Sequence, residues 1–115
     1  MIGEVVKVII DRPLGSRHPN YKEMIYTVNY GYIEGVFAFD QEEQDAYILG
    51  VDEPIKEFTG VVIAIVVRHN DVETKWVVAP LGMNFSKKEI SEAIWFQEQF
   101  FQYEIITSND EFNQT

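Results

Sequence analysis

Six consecutive positions, Asp40-Gln41-Glu42-Glu43-Gln44-Asp45, carry four carboxylates. In extended chain side chains alternate, so Asp40, Glu42 and Gln44 point to one side and Asp45 to the other. Asp45 can join Asp40 and Glu42 only if the backbone turns between them. Such a turn would gather three carboxylates around a hard cation, and without one their repulsion would raise their pKa values. A solvated acidic turn is the other reading of the same residues.

Asp71 and Glu73 form a second acidic pair, with Lys75 two residues on and facing the same way as Glu73 in a regular strand. This is either a surface salt bridge or part of a phosphate and metal site. Asp11, two residues before Pro13, is a strand-end acid that becomes a metal neighbour if the fold brings it near Asp45. The run Tyr26-Thr27-Val28-Asn29-Tyr30-Gly31-Tyr32-Ile33 adds phenol groups that can donate to phosphate oxygens. The glycine among them implies a tight backbone approach.

These residues fall on short β-branched or aromatic runs. Val5 to Ile10 reads as a strand closed by Asp11-Arg12-Pro13, since proline cannot donate to a sheet ladder. Leu14 to Glu23 reads as a loop. Met24 to Val28, Gly31 to Phe37, Ala46 to Val51, Val61 to His69 and Thr74 to Val78 read as further strands, the last two joined in a hairpin at residues 69–73. Their regular spacing predicts antiparallel β. Ser86-Lys87-Lys88-Glu89 matches a capping box, so a helix is expected from about Ser86. Ile90, Ala93, Ile94, Phe100, Phe101 and Ile105 recur at helical spacing and predict a face that seals the barrel, with Trp95 and Phe96 widening it. The polar tail, about 107–115, is expected to fray. At 115 residues one domain spanning 1–115 is expected.

The formal charge of −10, from 19 acids against nine Lys and Arg, would repel a phosphate backbone and argues against nucleic acid as partner. It suits divalent cations. The absence of cysteine excludes disulfides, thiolate catalysis and zinc–sulfur sites. The longest apolar run, Val61 to Val67, is too short to span a bilayer, and Met1 to Lys7 lacks the features of a signal peptide. A cytoplasmic protein with no membrane partner is expected.

Taken in order, the motifs are more specific than any one of them. Tyr26 and Asn29-Tyr30-Gly31-Tyr32-Ile33, followed by Asp40-x-Glu42-x-x-Asp45 and an apolar strand, resemble the signature of family I soluble inorganic pyrophosphatases. That family carries Tyr-Pro-x-Asn-Tyr-Gly-Tyr/Phe-Ile and then Asp-Gly-Asp-Pro-x-Asp. Gly60, Asp71, Glu73, Lys75 and Val77-Val78-Ala79-Pro80 continue the likeness, which covers roughly residues 24 to 80. The resemblance implies a mainly β, OB-like barrel of five to six antiparallel strands with one C-terminal helix packed on it.

The resemblance also implies Mg2+-dependent hydrolysis of diphosphate, with Mn2+ as an alternative metal and room for a homo-oligomer. By position, Asp40 and Asp45 fall on metal ligands and Glu42 on the carboxylate that activates the attacking water. Asp71 and Glu73 fall on further metal-binding acids, and Asp11 on an acidic position behind the ligands. Lys75, Tyr26 and Tyr30 fall on groups around the phosphates, with Tyr30 and Lys75 beside Glu42 in the catalytic set.

This chain also departs from the family. Glu42 replaces aspartate, Gln41 glycine and Glu43 proline. The family's hairpin bearing lysine, glutamate and arginine is deleted between Asp11 and Tyr26, leaving Arg17, His18 and Lys22, of which Arg17 and Lys22 are the candidate phosphate contacts. The family's helix lysine is missing, the plausible registers reading Gln99-Phe100 or Tyr103-Glu104. Two further readings follow: a binding module of the same fold without turnover, or a phosphoesterase for a larger substrate admitted by the deletion. Each requires that oxygens from two separate loops meet at one mouth of the barrel.

Overall fold

The structure is a computed structural model that describes residues 1–70 and 73–113, with the side chains of 111–113 outside that description. In chain order it contains β1 (Val5–Arg12), β2 (Asn29–Phe37), β3 (Glu43–Ile48), β4 (Glu57–Arg68), β5 (Thr74–Ala79), α1 (Lys87–Glu98), β6 (Tyr103–Thr107) and α2 (Ser108–Asn113). The strand order is β1-β2-β3-β5-β4-β6, and β4 also pairs with β1, which closes the first five strands into a barrel. β3 and β5 run parallel while the other pairs are antiparallel. The barrel is therefore mixed, where strand spacing had predicted antiparallel pairing throughout; spacing records how many strands there are and not which ones meet.

β4 is the long element, and its pairing explains the closure. Residues 57–61 pair with β1, and residues 64–68 pair with β6 along the same edge. A bulge between Val62 and Ala64 lies between the two halves, and a bulge turns successive side chains to the opposite face. Val62 thus packs in one cluster and Ala64 and Val66 in another.

All five barrel strands supply Val6, Val8, Ile10, Ile33, Ala46, Ile48, Val62 and Val78 to one cluster, which is the barrel interior. The second cluster unites Tyr30, Tyr47, Val66, Val77 and Ile105 with Ile90 and Ile94 of α1, so it lies on the barrel's outer face beneath the helix. Strands buried on both faces read as unbroken apolar runs, as Ala46-Tyr47-Ile48-Leu49 and Val77-Val78-Ala79 do. Gly31 meets its expected constraint, because a Cβ there would fall on the Ile9 carbonyl of β1.

The helix begins as expected: Ser86 accepts from the Glu89 backbone N–H, and Glu89 accepts from the Ser86 N–H. It ends sooner than its spacing predicts. Phe100 and Phe101 lie in the turn after α1, and Ile105 sits on β6, where it pairs with Val66. A run with apolar residues three and four apart fits a helix and a turn-plus-strand equally well, and here the open edge of β4 captures it. Phe96 packs as expected, but Trp95 is 53% exposed. Met24 to Val28 forms no strand beyond one bridge between Arg17 and Ile25, and the tail expected to fray begins with α2. Among the described residues no helix is long and apolar enough to cross a membrane.

Candidate active site

Side-chain alternation carries charged groups out of the helix-covered layer. On β3 the row Tyr47, Asp45, which starts at Leu49 just past the strand, runs from apolar to acidic, and on β5 the row Val77, Lys75 runs from apolar to basic. On β4 the row Ala64, Val66 ends in Arg68. In the parallel β3–β5 register Ala46 pairs with Trp76, so Asp45 lies level with Lys75. Buried Gln44 ties the two strand starts together, donating to the Thr74 carbonyl at 2.7 Å.

Asp45, Lys75 and Arg68 line a cleft of about 930 Å³ beside α1, with Asp11 and Arg12 from β1, Tyr26, Tyr30 and Glu73 also on its polar side. Lys75 Nζ lies 2.6 Å from Asp45 Oδ2 and 3.3 Å from Glu73 Oε2, although Lys75 itself is only 5% exposed. Its ammonium holds the place of a cation between two carboxylates. Tyr30 is buried; burial first, and the hydrogen-bonded Asp45 charge next, push its phenol well above the usual range. Burial also raises Tyr26, partly offset by a hydrogen bond with Arg12. Desolvation raises the Asp11 carboxyl, Arg12 opposes that shift, and the nearby Asp45 charge adds to it.

A smaller hollow of about 470 Å³ adjoins the cleft and shares Asp11, Asp45 and Glu73 with it. Asp40 and Glu42 line this hollow, where Asp40 accepts from the Glu42 N–H at 3.0 Å. The turn that brings them there puts Gln41 at φ 69°, the left-handed region, and the family it resembles carries glycine at that position. Asp11, Asp40, Glu42, Asp45 and Glu73 thus border one continuous depression. Asp11, Asp45 and Lys75 lie near the ends of β1, β3 and β5 on the side away from the interior cluster, while Asp40 and Glu42 lie in the turn between β2 and β3.

Other expected site residues fall elsewhere. Arg17 donates to the Lys22 carbonyl at 2.8 Å, and neither residue lines the cleft; backbone pairing of residues 15–18 with 24–26 folds their loop on itself. Asp71 lies outside the described residues. Among the described residues no three His, Cys, Asp or Glu side chains form a ready-made metal cage.

Sequence reasoning missed Arg12, Arg68, Gln97 and Glu98. Arg68 donates to Glu98 through Nε at 2.9 Å and Nη2 at 2.7 Å, and to Glu73 through Nη1 at 2.9 Å. Tyr47 donates to Glu98 at 2.6 Å, and Gln97 donates to the Tyr47 hydroxyl at 2.7 Å. A signal existed for Arg68, since a cation continues the alternating apolar row of β4. None existed for Glu98, which reads as an ordinary polar helix position.

No family model and no curated protein matches the sequence. Solved structures do match. The inorganic pyrophosphatase of Ehrlichia chaffeensis aligns with a TM-score of 0.71 at 15% identity, covering 95% of this chain and 89% of that one. That of Neisseria gonorrhoeae gives 0.63 at 18% identity over 82% and 72%, and that of Thermus thermophilus 0.60 at 15% over 90% and 80%. The chain has the inorganic pyrophosphatase fold.

Within that pyrophosphatase fold the cleft can do two things chemically. Arg12, Lys75 and the tyrosine hydroxyls offer donors to anionic oxygens, and Asp11, Asp45 and Glu73 offer hard oxygens to a cation. Four carboxylates, including Glu23, face three cationic side chains along the cleft. Glu98 also neutralises Arg68 from behind, so the cleft disfavours a bare polyanion and favours one that arrives with a cation.

Proposed function

We propose that the chain hydrolyses diphosphate to two orthophosphates with Mg2+ at this cleft. The observation that supports it is the approach of Asp11, Asp45 and Glu73, from three separate segments, to one depression that also holds Lys75 and Tyr30. The donor set is carboxylate oxygen, which fits a hard divalent ion. A partial cage also fits, because Mg2+ is ordinarily held by one or two carboxylates together with the substrate's own phosphate oxygens.

In this reading Asp45, Asp40 and Glu73 would hold the metal, with Asp71 beside Glu73 in sequence and Asp11 behind. When bound, the metal neutralises phosphate charge and lowers the pKa of a water. Glu42 takes the proton of the attacking water. Lys75, Arg12, Tyr26 and Tyr30 orient the phosphate oxygens by charge and hydrogen bonding, and stabilise the charge that develops on the leaving group. A metal held by Asp45 and Glu73 would supply the positive charge that the Lys75 ammonium now supplies between them, which would leave Lys75 available to the phosphate.

With Mg2+ and diphosphate the purified protein should release orthophosphate, and Asp45→Ala should abolish the release; equal rates in the two proteins would end this reading. The closed Lys75–Asp45 pair, at 2.6 Å, favours a second reading in which the cleft binds metal and phosphate without turnover. A Mg2+-dependent rise in melting temperature without orthophosphate release would select it.

A further inference from the structure

The cleft is larger and more apolar than diphosphate requires. Its volume of about 930 Å³ lies near the top of the range of about 300–1,000 Å³ for sites that enclose drug-sized organic ligands. Inorganic diphosphate presents only oxygen at its surface and gains nothing from an apolar wall. Yet beyond the polar side the lining includes Tyr21, Ile25 and Phe100. Tyr21 is 68% exposed and Phe100 69% exposed, although both are large apolar groups. Single exposed apolar residues are ordinary. Two exposed aromatic side chains and an isoleucine on one cleft, beside a phosphate-type donor set, are a ligand wall.

The wall comes from the β1–β2 connection and the turn after α1. Tyr21 and Ile25 belong to that loop, and Phe100 to the turn that ends α1 early. Glu23, on the same loop, also lines the cleft and can accept hydrogen bonds from hydroxyl groups. Phosphate donors, a carboxylate acceptor and exposed rings together match an anhydride carrying a sugar and a planar base.

We infer that this cleft also takes a nucleoside diphosphate, held by Lys75 and Arg12 at its phosphates and by Tyr21 and Phe100 at its base. This rests on the hydrolase reading and extends its substrate from inorganic diphosphate to a nucleoside diphosphate. The water oxygen bonds to the terminal phosphorus, and the bridging P–O bond breaks. The bridging oxygen leaves with the nucleoside monophosphate, and the products are that monophosphate, orthophosphate and one proton.

Calorimetric titration in Mg2+ compares adenosine α,β-methylene diphosphate with methylenediphosphonate on the full chain. The nucleotide analogue should bind at least about tenfold tighter, the amount expected of one stacked base. Tyr21→Ser and Phe100→Ser, both surface changes, should each remove most of that surplus and leave methylenediphosphonate unchanged. Equal or weaker binding of the nucleotide analogue, or an equal loss for both probes in the variants, overturns the inference. Orthophosphate release is read alongside with adenosine diphosphate and with inorganic diphosphate. Cleavage of inorganic diphosphate without the binding surplus overturns the substrate and leaves the hydrolase reading. The surplus without cleavage of either compound overturns the hydrolase reading and leaves the nucleotide in the cleft.

Discussion

Arg68 at the end of β4 and Glu98 at the end of α1 meet through two parallel hydrogen bonds, of 2.9 and 2.7 Å, with Glu98 fully buried. The pair joins the barrel to its helix and continues through Glu73 to Lys75 and Asp45. The Arg68 guanidinium also lies 3.7 Å from the Phe101 ring centroid, which fixes the turn after α1.

Glu98→Ala should therefore cost about 3–5 kcal/mol, because it leaves a buried cation partly uncompensated. Arg68→Met combined with Glu98→Leu should cost less than Glu98→Ala alone, since no uncompensated charge is left. Urea unfolding of the three proteins checks this, and a double variant weaker than the single one would show that the pair itself supplies net stability.

Asp45→Asn should lower the proposed diphosphate hydrolysis at least about a hundredfold while the protein stays folded, because Lys75 keeps Glu73 at 3.3 Å. Activity and circular dichroism are measured on the same sample. Retained activity would remove Asp45 from the proposed metal site.

Alkaline pH should unfold the protein through its phenols. Burial, with Asp45 beside Tyr30 and Glu98 beside Tyr47, raises both groups well above the ordinary value of 10.0. The folded state then holds their protons more tightly than the unfolded chain does, so their contribution is full below pH 10 and is lost as pH rises through the folded values. Tyrosinate absorbance should show part of the six tyrosines titrating only together with unfolding, and Tyr47→Phe should reduce the alkaline loss of stability.

Gly31→Ala should destabilise by about 3 kcal/mol or more, because the added methyl meets Ile9 backbone and not a flexible side chain. Thermal unfolding reads this directly. A shift of less than a few degrees would mean that β1 moves away easily.

Local features were legible where a few neighbouring residues settle them. The capping box at Ser86 and Glu89 needs four residues, and the hairpin between β4 and β5 needs little more. Gly31 announced a close approach because only glycine lacks a Cβ. The C-terminal end of the helix was illegible, because the apolar spacing through Ile105 is compatible with two conformations and the choice was made by the free edge of β4, more than thirty residues away in sequence.

The order of residue types along the chain thus determined an acidic, cysteine-free protein with several short strands, a capped helix and the acids Asp40, Glu42, Asp45 and Glu73 as candidates. The tertiary structure alone decided that β3 lies parallel to β5, so that Asp45 faces Lys75. It also decided that the bulge in β4 turns Arg68 toward Glu98, and that Asp11, Asp45 and Glu73 line one cleft beside α1. The physical reason is that alternation along one strand fixes which residues share a face, whereas which faces meet depends on register and closure, set by packing between segments distant in sequence.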